Sequence, residues 1–386
     1  DVDKVPGEII NANFATDLYY VCMDGSSDYT ADMSRGRISI ANAAEANVAV
    51  QKIINYEKTP VADPAFYSLG LNCAELQDSD DNGYADRRFS LTSENVYDYL
   101  NGVHSFNISR VYGSGSTNPT NWNNGAYAGG EPLPSYLLKP GFAWDGTGTD
   151  VRDQINIGQL YVLHRDHGYS QGWGTPGFNT SHIPSLTNGN RLPVMFSVNC
   201  SSGDLIAPAS FAEQMLRHSG GGAVGVIAAS DISYSGLNDA FVLGLFDAIW
   251  ASPGLIPNFT GSGGTGNTPA PHSHITKLGD VLNQGLIRMA ETWGNSQRTN
   301  ELFHYHGDPA MKIWTDVPTQ ISAAHPAQIN CNATSITITN ASCLDALATI
   351  FFNGEIIGTT ELVNGSGTIN CSTITNIVPN IVLTLS

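Results

Sequence analysis

QLYVLHRDHG (159–168), LPVMFSVNC (192–200) and AVGVIAASD (223–231) decide the fold. Each is a short, unbroken apolar run that ends in polar residues. Between the second and third, a helical pattern runs from about Ser210 to His218, and Gly220-Gly221-Gly222 terminates it. Continuous apolar runs alternating with helices imply parallel strands buried on both faces. In such sheets ligands bind outside the carboxyl ends of the strands. His167, Cys200 and Asp231 all fall at such ends, and so does Glu75, after the run AFYSLGLNC (65–73).

Outward from this centre the signals weaken. ANAAEANVAVQKIINYEK (41–58) is the best helix candidate, with an apolar stripe of Val48, Ile53 and Ile54 and a stop at Pro60. TDLYYVCMDGSSDYTADMSRGRISI (16–40) reads as a strand, an Asp/Gly loop and a second extended piece. Residues 110–150 carry little secondary-structure signal, and GSGSTNPTNWNNGAYAGGEP (113–132) reads as a long polar loop. After about Pro318 the texture changes. TSITIT (334–339) alternates with period two, FFNGEII (351–357) holds a hairpin Asn-Gly, and 367–370 and 380–385 read as further strands. This predicts a small, immunoglobulin-like β-sandwich.

Composition narrows the function. A chain of 386 residues fits two or three domains. With 41% apolar and 13% charged residues it can bury a core. Lysine and arginine number 17 against 35 acidic residues, a net charge of −18. That charge repels phosphate backbones and anionic lipid, so nucleic acid is not the expected partner. No apolar run approaches the roughly 20 residues of a membrane span. With 40 glycines and 19 prolines, the surface is built from Ser, Thr, Asn, Gly and Asp, a style that suits a secreted, loop-rich protein. Its carboxylates are of the kind calcium bridges to pin loops, so structural Ca2+ is expected and no organic cofactor. Cys22, Cys73, Cys200, Cys331, Cys343 and Cys371 include no CxxC pair and are too sparse for a disulfide scaffold. The last three leave room for one bridge.

A cysteine and a histidine at neighbouring strand tips form a candidate nucleophile and acid/base pair. Sulfur attacks a carbonyl as thiolate, and an imidazole can protonate a leaving amine. Backbone N–H groups near Gly168 and Cys200 could hold the oxyanion, because glycine lets the main chain approach closely. The competing reading is a structural cysteine beside a solvated histidine. His164-x-x-His167 with Cys200 also suggests a metal site, but that spacing on a strand end is poor zinc geometry.

The same residues resemble the gingipain family of caspase-like cysteine peptidases. The resemblance rests on His167-Gly168 followed by Trp173, on Leu186-Thr187-Asn188, Leu192-Pro193, Cys200 and Gly203, and on Phe211-Ala212-Glu213. His306-Gly307-Asp308-Pro309 and the following VPTQISAAHPAQIN resemble its junction into an immunoglobulin-like domain. It implies an α/β fold with a caspase-like, mainly parallel sheet flanked by helices, in two subdomains plus the sandwich. The domains would be a partial N-terminal subdomain (1–64), a catalytic subdomain (65–317) and the sandwich (318–386). It further implies a secreted or cell-surface bacterial endopeptidase acting on proteins or peptides. Cys200 would be the nucleophile, His167 the proton donor, and the Gly168 and Cys200 N–H groups the oxyanion hole. Glu75 in NCAE would orient the imidazole, and Trp173 would border the substrate.

The loop from Asp78 to Asp86 keeps two readings. In arginine-specific members a DNGxxD stretch supplies the aspartate that pairs with the substrate guanidinium, and Asp86 matches it. The D-x-D-x-N-G spacing also makes Asp78, Asp80 and Asn82 calcium-ligand candidates, although position twelve would be Phe89 rather than a carboxylate. Arginine-specific relatives also put a tryptophan over the S1 pocket. Here Gly236 falls near that place, and Tyr234 is the candidate cover. Asp231, Asn238 and Asp239 lie in the region from which lysine-specific relatives draw their S1 acid. A basic P1 residue is therefore expected, with Arg against Lys open. The alternative function is a catalytically inactive adhesion or binding module. Relatives carry a further segment before the stretch that matches residues 1–7, so a cleaved upstream segment of the precursor is an expected partner, covering a sheet edge. A mass spectrum of the purified protein should then show a second chain beside the 41.1 kDa species; the 41.1 kDa species alone would count against it.

Overall fold

The three apolar runs form adjacent parallel strands in the computed structural model, which describes residues 8–10, 14–123, 130–256, 269–329, 333–352, 355–371 and 382–385. The central sheet contains β1 (Leu69–Leu76), β2 (Asn107–Ser114), β3 (Tyr161–Arg165), β4 (Val194–Val198), β5 (Gly225–Ala229) and β6 (Phe303–His306). Their spatial order is β6-β5-β4-β3-β1-β2. All neighbours are parallel except β5 and β6. Every residue of β3, β4 and β5 is buried, which is why these runs lack polar alternation.

Side chains alternate between the faces of the sheet. Leu163, Phe196 and Ile227 share one core with Val96, Phe241, Phe246 and Leu282. These come from α2 (Phe89–His104), α5 (Ser235–Ile249) and α6 (Leu278–Trp293). Val162, Met195 and Val226 share the other core with Val151, Ile155 and Met215. Those belong to α3 (Gly148–Ile157) and α4 (Phe211–Arg217). Helix α5 is buried from Asn238 to Ile249, so it reads as apolar all round.

One buried ion pair ties the tips of the sheet to this helix layer. Arg165, at the end of β3, pairs with Asp239 of α5, and both are almost completely buried. Arg165 Nη1 donates to the Val198 carbonyl (3.0 Å) and Nη2 to Ser235 O (3.1 Å). Thr92 of α2 donates its hydroxyl to Asp239 (2.9 Å), and the Phe89 ring lies 4.9 Å from the guanidinium carbon.

Several elements depart from the sequence reading. Residues 65–68 of the expected 65–73 strand belong to a 3-10 turn, because Pro64 starts it and the Asp63 side chain accepts from Ala65 N–H. The strand instead continues through Glu75. Residues 110–150 hold the end of edge strand β2 and helix α3, whose start is fixed by a capping box of Thr147 and Asp150. The 16–40 stretch ends in one bridge, Arg37 to His306, rather than a second strand. Helix α1 (Ala43–Lys58) packs against α4, and Lys52 Nζ donates to Met215 O and Leu216 O. Residues 1–317 cluster as one compact unit and 318–386 as another.

The second unit holds two antiparallel sheets. One pairs Ser335–Ile338 with Gly367–Asn370, and the other places Leu347–Phe352 between Glu355–Glu361 and Val382–Leu385. Ile336, Ile338, Ala348, Ile350 and Ile369 form its core. The expected turn at Asn353-Gly354 lies outside the described residues, as does Cys331. Cys343 and Cys371 are free thiols.

Removing one member of a buried ion pair strands the other without solvent. Asp239→Ala should therefore lower unfolding free energy by roughly 3–5 kcal/mol in denaturant melts, and Arg165→Met with Asp239→Leu should regain most of it. A loss under about 1 kcal/mol for the single variant would contradict the lock.

Candidate active site

Strand register brings the predicted residues together. Val198 of β4 pairs with Arg165 of β3, so Cys200 and His167 each lie two residues beyond the last matched step. Ala74 of β1 pairs with Arg165 on the other side, so Glu75 and Asp166 each lie one residue beyond. Neighbouring strands are about 4.8 Å apart, so four reactive side chains rise from three adjacent tips. Gly168 presses against the β4 tip: a Cβ there would lie 2.3 Å from Asn199 Oδ1 and 2.7 Å from Cys200 O. Any larger residue would push the two tips apart.

Cys200 is half-buried on a tight turn. Ser201, next to it, has the left-handed φ of 56°, and its N–H donates to Asp231 O (3.0 Å). The thiol donates to Ser233 O at 3.7 Å. His167 is exposed. Its Nε2–H donates to Gln77 Oε1 (3.3 Å), which leaves Nδ1 as the basic nitrogen of the neutral ring. Phe89 meets the imidazole edge-on at 5.4 Å.

Glu75 does not act alone. Burial and the facing Asp166 carboxylate push its carboxyl up, to about 8. Burial also raises Asp166. The two are not equivalent. Asp166 receives the Thr175 N–H (2.6 Å) and a backbone hydrogen bond from His167, while Glu75 receives only the Thr175 hydroxyl at 3.4 Å. Asp166 is therefore the better-stabilised anion, and the proton the pair retains near neutral pH sits on Glu75. Together they hold one negative charge beside His167. Thr175 also accepts from His164 Nε2 through its carbonyl (3.2 Å), and it fits because a Cβ on Gly113 would meet its methyl at 2.3 Å.

The remaining candidates divide. Asp86 lies half-buried on the loop bordering His167, and its N–H donates to Gln77 O (2.7 Å). One carboxylate oxygen of Asp86 accepts from Ser79 N–H (2.9 Å) and Ser79 Oγ–H (2.6 Å). Tyr234 is 49% exposed and follows Ser233, so it stands at the lip beside Cys200. Trp173, expected to border substrate, is core instead. It is 1% exposed, stacks on His164 at 4.2 Å and donates to Ser197 Oγ (2.8 Å). His164 is likewise a strut. Burial holds it neutral, down to about 3, with Nδ1 accepting from Asn199 Nδ2 (2.8 Å). Asp239 is taken by Arg165, Asp231 pairs with Arg298 (2.7 Å), and Asn238 donates to Ser233 Oγ (2.7 Å).

Asp78 braces its own loop rather than facing outward. Burial opposes its charge, but hydrogen bonds from Ser116, Gly83 and Asn82 outweigh that and hold its carboxyl below the usual range. Asn82 Oδ1 accepts from Tyr84 N–H (2.7 Å), while Asp80 stays exposed. A convergent carboxylate group that the sequence reading did not single out is Asp24, Asp28 and Asp32, with oxygens within 4.8 Å of one another. Gln77, Asp166 and Ser233 were also missed as site residues. Gln77 had a signal, since it lies two residues past Glu75 and period two places both on one face. Asp166 stood directly before His167, whereas Ser233 sits in a loop without pattern.

Comparisons with known proteins agree with this geometry. The profile of Peptidase family C25 matches residues 1–314. Gingipain R1 of Porphyromonas gingivalis is 27% identical over 387 aligned residues, covering 97% of this chain and 33% of its own length. Gingipain R2 is 25% identical, covering 96% and 44%, and Lys-gingipain HG66 is 24% identical, covering 95% and 19%. The chain thus spans between about a fifth and less than half of the length of these relatives. The crystal structure of the Arg-specific cysteine proteinase gingipain R superposes with a TM-score of 0.78 at 22% identity, covering 100% of this chain and 79% of that one. The chain belongs to peptidase family C25, a gingipain-type family of cysteine peptidases.

The shared proton makes stability depend on pH. Glu75 binds its proton more tightly folded than unfolded, so its contribution is full below about pH 4.5 and is lost as pH rises toward about 8. Asp166→Asn removes the facing charge and supplies an N–H donor. Urea melts across that range should show a shallower decline for the variant than for the parent; identical slopes would contradict the shared proton.

Proposed function

We propose that this member of peptidase family C25 is a secreted or cell-surface bacterial cysteine endopeptidase that cleaves after a basic residue. The observation that carries the reading is the register placing Cys200 and His167 at equivalent positions on adjacent strand tips. The Cys200 sulfur attacks the substrate carbonyl as thiolate. The N–H groups of Gly168 and Cys200 hold the oxyanion. His167 protonates the leaving amine, and water hydrolyses the acyl-enzyme. Glu75 and Asp166 hold one negative charge between them beside that imidazole. Asp86 supplies the carboxylate for a substrate guanidinium, with Tyr234 at the pocket lip. Relatives named gingipain R and one structure titled as an Arg-specific proteinase support arginine as the preferred P1 residue, with lysine second.

Three further parts belong to the proposal. Structural calcium stabilises acidic loops. Its sites are Asp78, Asp80 and Asn82 or the convergent Asp24, Asp28 and Asp32 group. An upstream segment of the precursor binds the mature chain, as the pro- and mature domains of RgpB form a complex. The C-terminal unit is an immunoglobulin-like sandwich. Among the described residues, no helix is long and apolar enough to cross a membrane.

Hydrolysis of arginyl and lysyl peptide reporters tests the reading. Cys200→Ala should abolish turnover, and Asp86→Asn should lower kcat/KM for arginyl substrates by about 10²-fold while sparing neutral P1 substrates. Equal rates in the parent and Cys200→Ala would favour the binding module instead.

A further inference from the structure

Arg35 is a buried cation that makes no ion pair among the described residues. Its side chain is 4% exposed. Nη2 donates to Asn300 O (2.9 Å) and Phe303 O (3.4 Å), but among the described residues Nε and Nη1 are buried with no hydrogen-bond partner. Burial pulls the guanidinium down, to about 10. Of the two acids acting on it, the Cys22 thiol is pushed up to about 11 by burial and stays neutral, and Asp17 is already bidentate to Arg37. A buried, half-solvated guanidinium costs stability unless something completes its hydrogen bonds.

Arg35 lines a cavity of about 280 Å3, just below the roughly 300 Å3 at which ligand pockets usually begin. Leu18, Ala31, Leu286, Ile287 and Ala290 make its walls apolar. Two lining amides add acceptors with fixed direction. Asn283 donates through Nδ2 to Met33 O (2.9 Å), and Asn300 through Nδ2 to Tyr29 O (2.8 Å). The Oδ1 of each is buried and has no donor among the described residues. Glu291, at the same cavity, is engaged by the Ala270 N–H (3.0 Å). The cavity thus offers an unpaired cation, two acceptors awaiting N–H groups, and aliphatic walls.

We propose that this cavity binds a small aliphatic α-amino acid unit, free or as the carboxyl-terminal residue of a peptide. The α-carboxylate completes Arg35 through charge-assisted hydrogen bonds. The α-nitrogen donates to Asn283 and Asn300. A leucine-sized side chain fills the apolar walls. The proposal does not depend on peptidase activity, since none of these residues belongs to the strand-tip site.

Thermal melting and calorimetric titration of the full chain test it with four probes: leucine, N-acetyl-leucine, leucinamide and 4-methylpentanoate. Leucine or N-acetyl-leucine should raise Tm by about 3 °C or more near saturation. Stronger binding of leucine identifies the free amino acid, and stronger binding of N-acetyl-leucine identifies a peptide terminus. Leucinamide lacks the carboxylate and 4-methylpentanoate lacks the N–H, so each should bind at least about tenfold more weakly. Arg35→Met should abolish the shift. Ala290→Leu, which keeps Arg35 and fills the cavity, should weaken binding comparably even if the first variant folds poorly. No shift with either acid, an undiminished shift in Arg35→Met or Ala290→Leu, or an equal shift with sulfate would overturn the proposal.

Discussion

The Arg165–Asp239 lock is the constraint on which the rest depends. A guanidinium inside the fold is costly unless strong acceptors are aligned with it, and here those acceptors come from two elements, β4 and α5. Its bond to the Val198 carbonyl holds the ends of β3 and β4 level. Its bonds to Ser235 and Asp239 hold the start of α5 against those ends. The residues that follow Arg165 and Val198, His167 and Cys200, inherit that alignment. Reactive groups on loops gain their precision from rigid elements beneath them, and this pair has such a base.

Above the lock, charge is managed by one threonine. Thr175 gives its N–H to Asp166, its hydroxyl to Glu75 and its carbonyl to His164. It thereby distinguishes two carboxyls that would otherwise compete, and its carbonyl fixes the ring orientation of the histidine that burial keeps neutral. A lone glutamate behind an imidazole would hold a full charge at neutral pH. A protonated glutamate beside an aspartate holds the same single charge, distributed over two residues, with its protonation open to pH.

The legible part of the sequence was the part governed by burial. β3, β4 and β5 are covered on both faces, so their runs are unbroken and their carboxyl ends announced His167, Cys200 and Asp231. Edge strand β2 mixes Asn107, Ser109 and Arg110 with apolar residues, because one side of it has no neighbour in the sheet, and it escaped notice. Helix α5 escaped for the opposite reason, being apolar on every side. Within the site, a residue type and a strand end sufficed to find Cys200 and His167. They did not reveal that Trp173 turns inward onto His164, nor that Asp239 is committed to Arg165. Those outcomes depend on partners distant in the chain, whose placement no local pattern encodes.

The central claim is that one sulfur and one imidazole act together on a substrate bound between the strand tips. Covalent trapping with a peptidyl arginyl chloromethyl ketone reads both at once. Mass mapping should locate the adduct on Cys200, and the labelling rate should fall by about 10²-fold or more in His167→Ala. An adduct on another cysteine, or an unchanged rate in that variant, would contradict the account.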